Sequence, residues 1–133
     1  MSEARQEGGC LCGHVRFAVT GAANNITNCH CRLCQKAAGA PYVTWAEFPT
    51  AHITWLSSEP TWRASSETAE RGFCPTCGSA VSFRVLGAEN VDLAVALFDN
   101  PASFPPDYDI YTQSAQPWTA LAPALPHFKR ERD

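Results

Sequence analysis

The chain has 133 residues, 45% apolar and 17% charged, with a formal charge of −3 at pH 7. That length suits one domain able to bury roughly two-thirds of its unfolded surface, and the balance is globular rather than disordered. A net negative charge argues against a nucleic-acid face, and no apolar run approaches the roughly 20 residues of a membrane span.

Residues 1–7 are polar and lack the apolar core of a secretory signal. The expectation is therefore a soluble, cytoplasmic protein with neither nucleic acid nor membrane as partner. The only basic cluster, Lys129, Arg130 and Arg132, is interleaved with Glu131 and Asp133 and reads as a solvated tail.

Seven cysteines are the abnormal feature. An odd number leaves one over in any disulfide scheme, and a reducing compartment disfavours disulfides altogether. Their placement points to metal. Cys10-Leu11-Cys12, Cys29-His30-Cys31-Arg32-Leu33-Cys34 and Cys74-Pro75-Thr76-Cys77 are tight knots, and thiols so close in sequence share an ion more readily than they bridge distant segments.

In chain order, Gly8-Gly9-Cys10-Leu11-Cys12-Gly13 predicts half of a metal knuckle, with glycines allowing the positive φ of a ligand turn. Residues 15–20 alternate, with Val15, Phe17 and Val19 on one face of a strand. Asn24-Asn25 reads as a loop leading into the second knot. Residues 32–38 favour one or two helical turns, closed by Gly39 and stopped by Pro41, with Cys31 and Cys34 facing one way. Strand-like runs follow at 42–48, 52–56 and 61–64, then a polar turn over 65–70. The second knuckle, Cys74-Pro75-Thr76-Cys77-Gly78, resembles the turn of a zinc ribbon. Residues 79–85 and 91–97 are two further strands, and the Pro-rich remainder offers one last strand at 108–112. The ordered core is expected over about 8–120 of a single domain spanning 1–133, with 121–133 an irregular C-terminal tail.

A structural zinc is closed by four protein ligands, whereas a catalytic zinc keeps three and leaves one position open. Seven thiols divide as four plus three. Cys10, Cys12, Cys74 and Cys77 would form the closed site and staple distant segments together. Cys29, Cys31 and Cys34 would form the open one. Spacing alone also permits a closed Cys3His site completed by His30, or another partition of the thiols.

The three blocks Gly9-Cys10-Leu11-Cys12-Gly13, Asn28-Cys29-His30-Cys31-Arg32-Leu33-Cys34 and Arg71-Gly72-Phe73-Cys74-Pro75-Thr76-Cys77-Gly78 resemble the glutathione-dependent formaldehyde-activating enzymes. The same domain occurs in centromere protein V. Ile110-Tyr111 and Gln116-Pro117-Trp118 are similar to the family's C-terminal aromatic segment, although an Arg that many relatives carry before Pro-Trp is missing here. The resemblance implies a mainly β fold of curved antiparallel sheets, Mss4-like, with zinc knuckles and one short helix. It implies two zinc ions per chain: Cys10, Cys12, Cys74 and Cys77 structural, and Cys29, Cys31 and Cys34 catalytic.

The activity implied is a zinc-dependent carbon–sulfur lyase or synthase joining glutathione, or a similar thiol, to formaldehyde or a related aldehyde. A zinc-bound thiol is deprotonated outright, whereas a free one has a pKa of about 8.5. Three thiolate ligands make the ion a weak Lewis acid, which favours thiol capture over carbonyl polarisation. Arg32 and Lys36, close in sequence, are candidates to meet a substrate carboxylate, and Trp118 to wall the pocket. The competing readings are a thiol carrier without turnover and a structural zinc module with both sites closed.

Overall fold

The computed structural model describes residues 4–119 and 125–131. Ten strands and one α-helix occur there: β1 (Arg5–Gly9), β2 (Arg16–Thr20), β3 (Asn25–Cys29), α1 (Arg32–Ala38), β4 (Val43–Pro49), β5 (Ile53–Trp55), β6 (Thr61–Ala64), β7 (Ala69–Phe73), β8 (Ala80–Val85), β9 (Asn90–Ala94) and β10 (Tyr108–Ile110). They form a three-stranded sheet in the order β1-β2-β5 and a seven-stranded sheet in the order β10-β3-β4-β9-β8-β7-β6. This is the mainly β arrangement with one short helix that the sequence predicts.

The core lies between the sheets because strand side chains alternate. Phe17 and Val19 of β2, together with Val15, meet Ala46 and Phe48 of β4 and Val91 and Leu93 of β9. Phe98 joins the layers, its ring 5.1 Å from Phe17 in an edge arrangement and 4.1 Å from Phe104. The residue before Ala46 in β4, Trp45, points to the opposite face of the larger sheet, where it packs with Cys29, Cys34 and Ala94. That second face carries the chemistry described below.

Three strands escape a periodicity reading. β1 is polar, and its buried Gly8 is required by contact: a Cβ there would stand 2.6 Å from the Leu97 carbonyl oxygen. β3 begins inside the Asn pair read as a loop; the Asn24 amide instead donates to Glu47, at 3.1 Å. β7 overlaps the expected polar turn, with Glu70 opposite Arg84 and paired to it at 2.8 Å. The strand expected over 91–97 is shorter, because Val95–Leu97 closes into a 3-10 turn that caps the strand end.

The last strand also departs from expectation. β10 stops at Ile110 and runs parallel to β3, with Ile110 opposite Cys29. Tyr111 then takes a left-handed backbone, φ 56°, before a 3-10 turn at Thr112–Ser114. Of the irregular tail expected over 121–133, only 125–131 lies among the described residues, and it forms neither strand nor helix.

Candidate metal centres and the cavity beside them

Two hairpin-like knuckles build the first centre. In one, the Cys10 amide donates to Val15 and the Gly13 amide to Cys10; in the other, the Cys74 amide donates to Ser79 and the Gly78 amide to Cys74. Gly13 and Gly78 have φ of 85° and 81°, a left-handed turn that a side chain would strain. The two turns face each other, and the sulfurs of Cys10, Cys12, Cys74 and Cys77 all lie within 4.8 Å of one another.

Their spacing can be tested against an ion. A tetrahedron with metal–sulfur bonds of about 2.3 Å has sulfur–sulfur edges of about 3.8 Å. Cys10 to Cys12 is 3.7 Å and Cys12 to Cys74 is 3.8 Å, so the set fits zinc. The surroundings favour thiolates at Cys10 and Cys77. At Cys12 the pull of the His14 amide is outweighed by burial and the neighbouring thiols, which push it up to about 11, a repulsion that a shared cation would relieve. Backbone N–H groups of Val15, His14, Thr76 and Cys77 point at Cys10, Cys12 and Cys74 from 3.3–3.4 Å. The Ser79 hydroxyl and backbone lower the Cys77 pKa to about 5.

The second centre gathers Cys29 at the end of β3, Cys31 at the N-cap of α1 and Cys34 in its first turn. The Cys31 sulfur accepts the Cys34 amide at 3.3 Å, so it caps the helix and is aimed inward by the same contact. Gly39, at φ 64°, closes the helix with its amide on Gln35, as the sequence predicts. All three sulfurs lie within 4.8 Å of one another, with Cys29 and Cys34 3.4 Å apart. Burial pushes Cys29 up to about 12, and its thiol neighbours add to this. Such groups ionise together only around a cation, the donor set expected for zinc.

No fourth Cys, His, Asp or Glu joins this group among the described residues. His30 turns away. Its Nε2 lies 2.8 Å from Asp109, and its ring packs 5.0 Å from Tyr42. The amide of His30 is held by the Ile110 carbonyl, so β10 fixes the side chain between the two cysteines on the outer side. The arrangement therefore gives no support to the Cys3His alternative.

The three sulfurs open on a cavity of about 500 Å³ whose walls include Arg71, Asp92, Trp45 and Tyr111. Arg71 lies 3.6 Å from the Cys34 sulfur, with its guanidinium 4.9 Å above the Phe83 ring. Arg32, Lys36 and Trp118 lie elsewhere: they border a separate hollow with Gln35 and Gln116, and Arg32 donates to Gln35. Chain proximity brought Arg32 and Lys36 to attention, but α1 directs them away from the cavity. Leu33, Arg71 and Asp92 line it instead. The signal for Arg71 was its place just before the second knuckle; for Asp92 it was only strand alternation.

Asp92 has an unusual carboxyl. Burial, with Glu47 opposite it on β4, pushes its pKa up to about 7. The unfolded chain releases this proton near the ordinary value of 3.8 while the folded chain retains it to about pH 7. Its contribution therefore favours folding at low pH and is lost as pH rises between those values, by at most about 4 kcal/mol. Thiol protonation acts oppositely by releasing metal at low pH, so the difference between two proteins isolates the carboxyl. Asp92→Asn is expected to gain stability on the wild type from pH 5 to pH 8 in urea denaturation, and a constant difference would contradict the burial.

Two sheets, one short helix and clusters of four and three thiols define a small cysteine-rich β protein able to hold two metal ions. Residues 5–114 match the family described as glutathione-dependent formaldehyde-activating enzyme, and the chain belongs to it. An uncharacterized lyase of Schizosaccharomyces pombe is 26% identical over 84 residues, covering 63% of this chain and 61% of the yeast protein. A Rhodobacter sphaeroides protein of known crystal structure shares the fold, with a TM-score of 0.61 at 20% identity, covering 77% of this chain and 98% of that one.

Proposed function

We propose that the protein joins glutathione or a similar thiol to formaldehyde or a related aldehyde, and cleaves the adduct in reverse, as a carbon–sulfur lyase. One observation carries this reading: the Cys29, Cys31 and Cys34 cluster has three donors rather than four and opens on a cavity. The four-thiol cluster is assigned a structural role and the three-thiol cluster a catalytic one.

Bound by the three thiols, zinc would keep a substrate thiol deprotonated at neutral pH. The chain supplies the rest. Arg71, beside Cys34, offsets the accumulated negative charge, and the Cys34 amide directed at Cys31 does the same. Trp45 and Phe83 provide apolar walls against which a small aldehyde is held beside the sulfur. In the addition, the sulfur lone pair forms the S–C bond, the carbonyl π pair moves to oxygen, and that oxygen takes up the proton given up by the thiol. Holding two partners together is where most of the gain would arise, because the addition also proceeds unaided.

Cobalt substitution provides the test. Added glutathione is expected to change the absorption of one of two cobalt sites, and formaldehyde–adduct exchange measured by NMR is expected to exceed the spontaneous rate. Two unresponsive sites would point to a structural module. A responsive site without faster exchange would point to a carrier.

A further inference from the structure

The face of the larger sheet beside the three thiols carries an ordered row of charge. Reading across the strands from β6 to β3, successive cross-strand partners are Arg63, Arg71, Phe83, Asp92, Glu47 and Asn25. Two cations stand together at one end and two carboxylates together toward the other, separated by one aromatic ring. Like charges placed directly opposite destabilise a sheet, and opposite charges there would stabilise it. Exchanging one member of each pair would remove both repulsions, so charge pairing within the sheet does not account for the order.

None of the four pairs with an oppositely charged carboxylate, Lys, Arg or His among the described residues, and the one ionic neighbour is the Cys34 sulfur beside Arg71. Glu47 accepts the amides of Asn24 and Asn25 on one oxygen only. Arg71, Asp92 and Glu47 are half-buried and border the thiol cavity, while Arg63 borders an adjoining cavity of about 400 Å³ that shares Arg71 and Trp45 with it.

Asp92 and Glu47 share a row with Asn25, four residues along β3 from Cys29, about 13 Å away at strand rise. Arg71, in the same row, reaches to 3.6 Å from the Cys34 sulfur, so the cation end of the row stands against the thiols and the carboxylate end lies further along the same cavity. The backbones at Arg71 and Asp92, two strands apart, are separated by about 10 Å. That is the scale of a short peptide's two charged ends.

We propose that this row selects a bipolar thiol, with its anionic group at Arg63 and Arg71 and its cationic amine at Asp92 and Glu47. The assignment rests on the three-thiol cluster taking a substrate thiol, as proposed above, and adds what that thiol must carry. A thiol of this shape reaches from the sulfurs to both charged ends of the row, with Phe83 beneath its middle.

The zinc-loaded protein is titrated calorimetrically with glutathione, N-acetylglutathione, glutathione glycyl monoethyl ester and 2-mercaptoethanol. Glutathione is expected to bind about tenfold more tightly than either blocked form. Asp92→Asn is expected to abolish the preference over N-acetylglutathione, and Arg63→Gln, at a more exposed position, to narrow the preference over the ester about threefold. Equal binding of glutathione and both blocked forms by the wild type would overturn the row while leaving thiol capture intact, and needs no variant to fold. Preferences unchanged in the variants would overturn it as well. If none of the four thiols binds, 2-mercaptoethanol included, the proposed function falls and the row's assignment with it.

Discussion

Cys74→Ser is expected to leave the chain unfolded at room temperature. Cys74 is fully buried, and its sulfur accepts two backbone amides as well as standing 3.8 Å from Cys12. A structural zinc contributes about 10–16 kcal/mol of apparent binding energy, comparable to or larger than the roughly 5–15 kcal/mol that stabilises a whole domain. Removing one of four donors sacrifices much of that energy and leaves buried polar groups facing nothing. Circular dichroism should show no cooperative melting transition. A variant that melts within a few degrees of the wild type would show that the four-thiol cluster does not hold the sheets together.

Cys34→Ser should have the opposite character: a folded protein without the activity. Cys34 lies in the first turn of a seven-residue helix, and the serine replacing it is nearly the same size. The four-thiol cluster and the inter-sheet core are untouched, so melting should remain cooperative. Metal content should fall from two ions per chain toward one. Changes outside the ligand sphere commonly cost about 10–100-fold in metal affinity or activity, so loss of a donor should exceed that. Rates of adduct exchange would then be indistinguishable from the spontaneous reaction. Full activity in a variant holding one metal would remove the catalytic role from this cluster.

Much of the local structure was legible because it depends on neighbouring residues. The limits of α1 follow from Gly39 and Pro41, and the knuckle turns from the glycines beside each thiol pair. β2 announces itself by alternation. What stayed hidden depends on partners far along the chain. β1 is a strand because β2 hydrogen-bonds to it, despite its polar residues. The direction of His30 is settled by Asp109, 79 residues later, so no count of local spacings can tell whether it joins the thiols. Cross-strand registers assemble the charged row from six strands, and its members look unrelated in sequence. Arg32 and Lys36 show the converse: close to the thiols in the chain, they border a different hollow because the helix turns them away from the thiol cavity.

The parallel pairing of β10 with β3 has a consequence for the order in which the molecule can assemble. Cys29, Cys31 and Cys34 are made early and lie close enough to meet any ion at once. The strand that holds the His30 backbone from the flank is made much later, with Asp109 lying 79 residues further along the chain. The other cluster likewise waits, because Cys12 must find Cys74, 62 residues later. Long closures of this kind are slow compared with local turns. A nascent chain therefore exposes three clustered thiols well before its second knuckle exists, and a premature ion shared across the two sets would trap a wrong partition. The two knuckles have matching hydrogen-bond patterns closed by their own glycine turns, local contacts that can form before the distant pairing of Cys12 with Cys74.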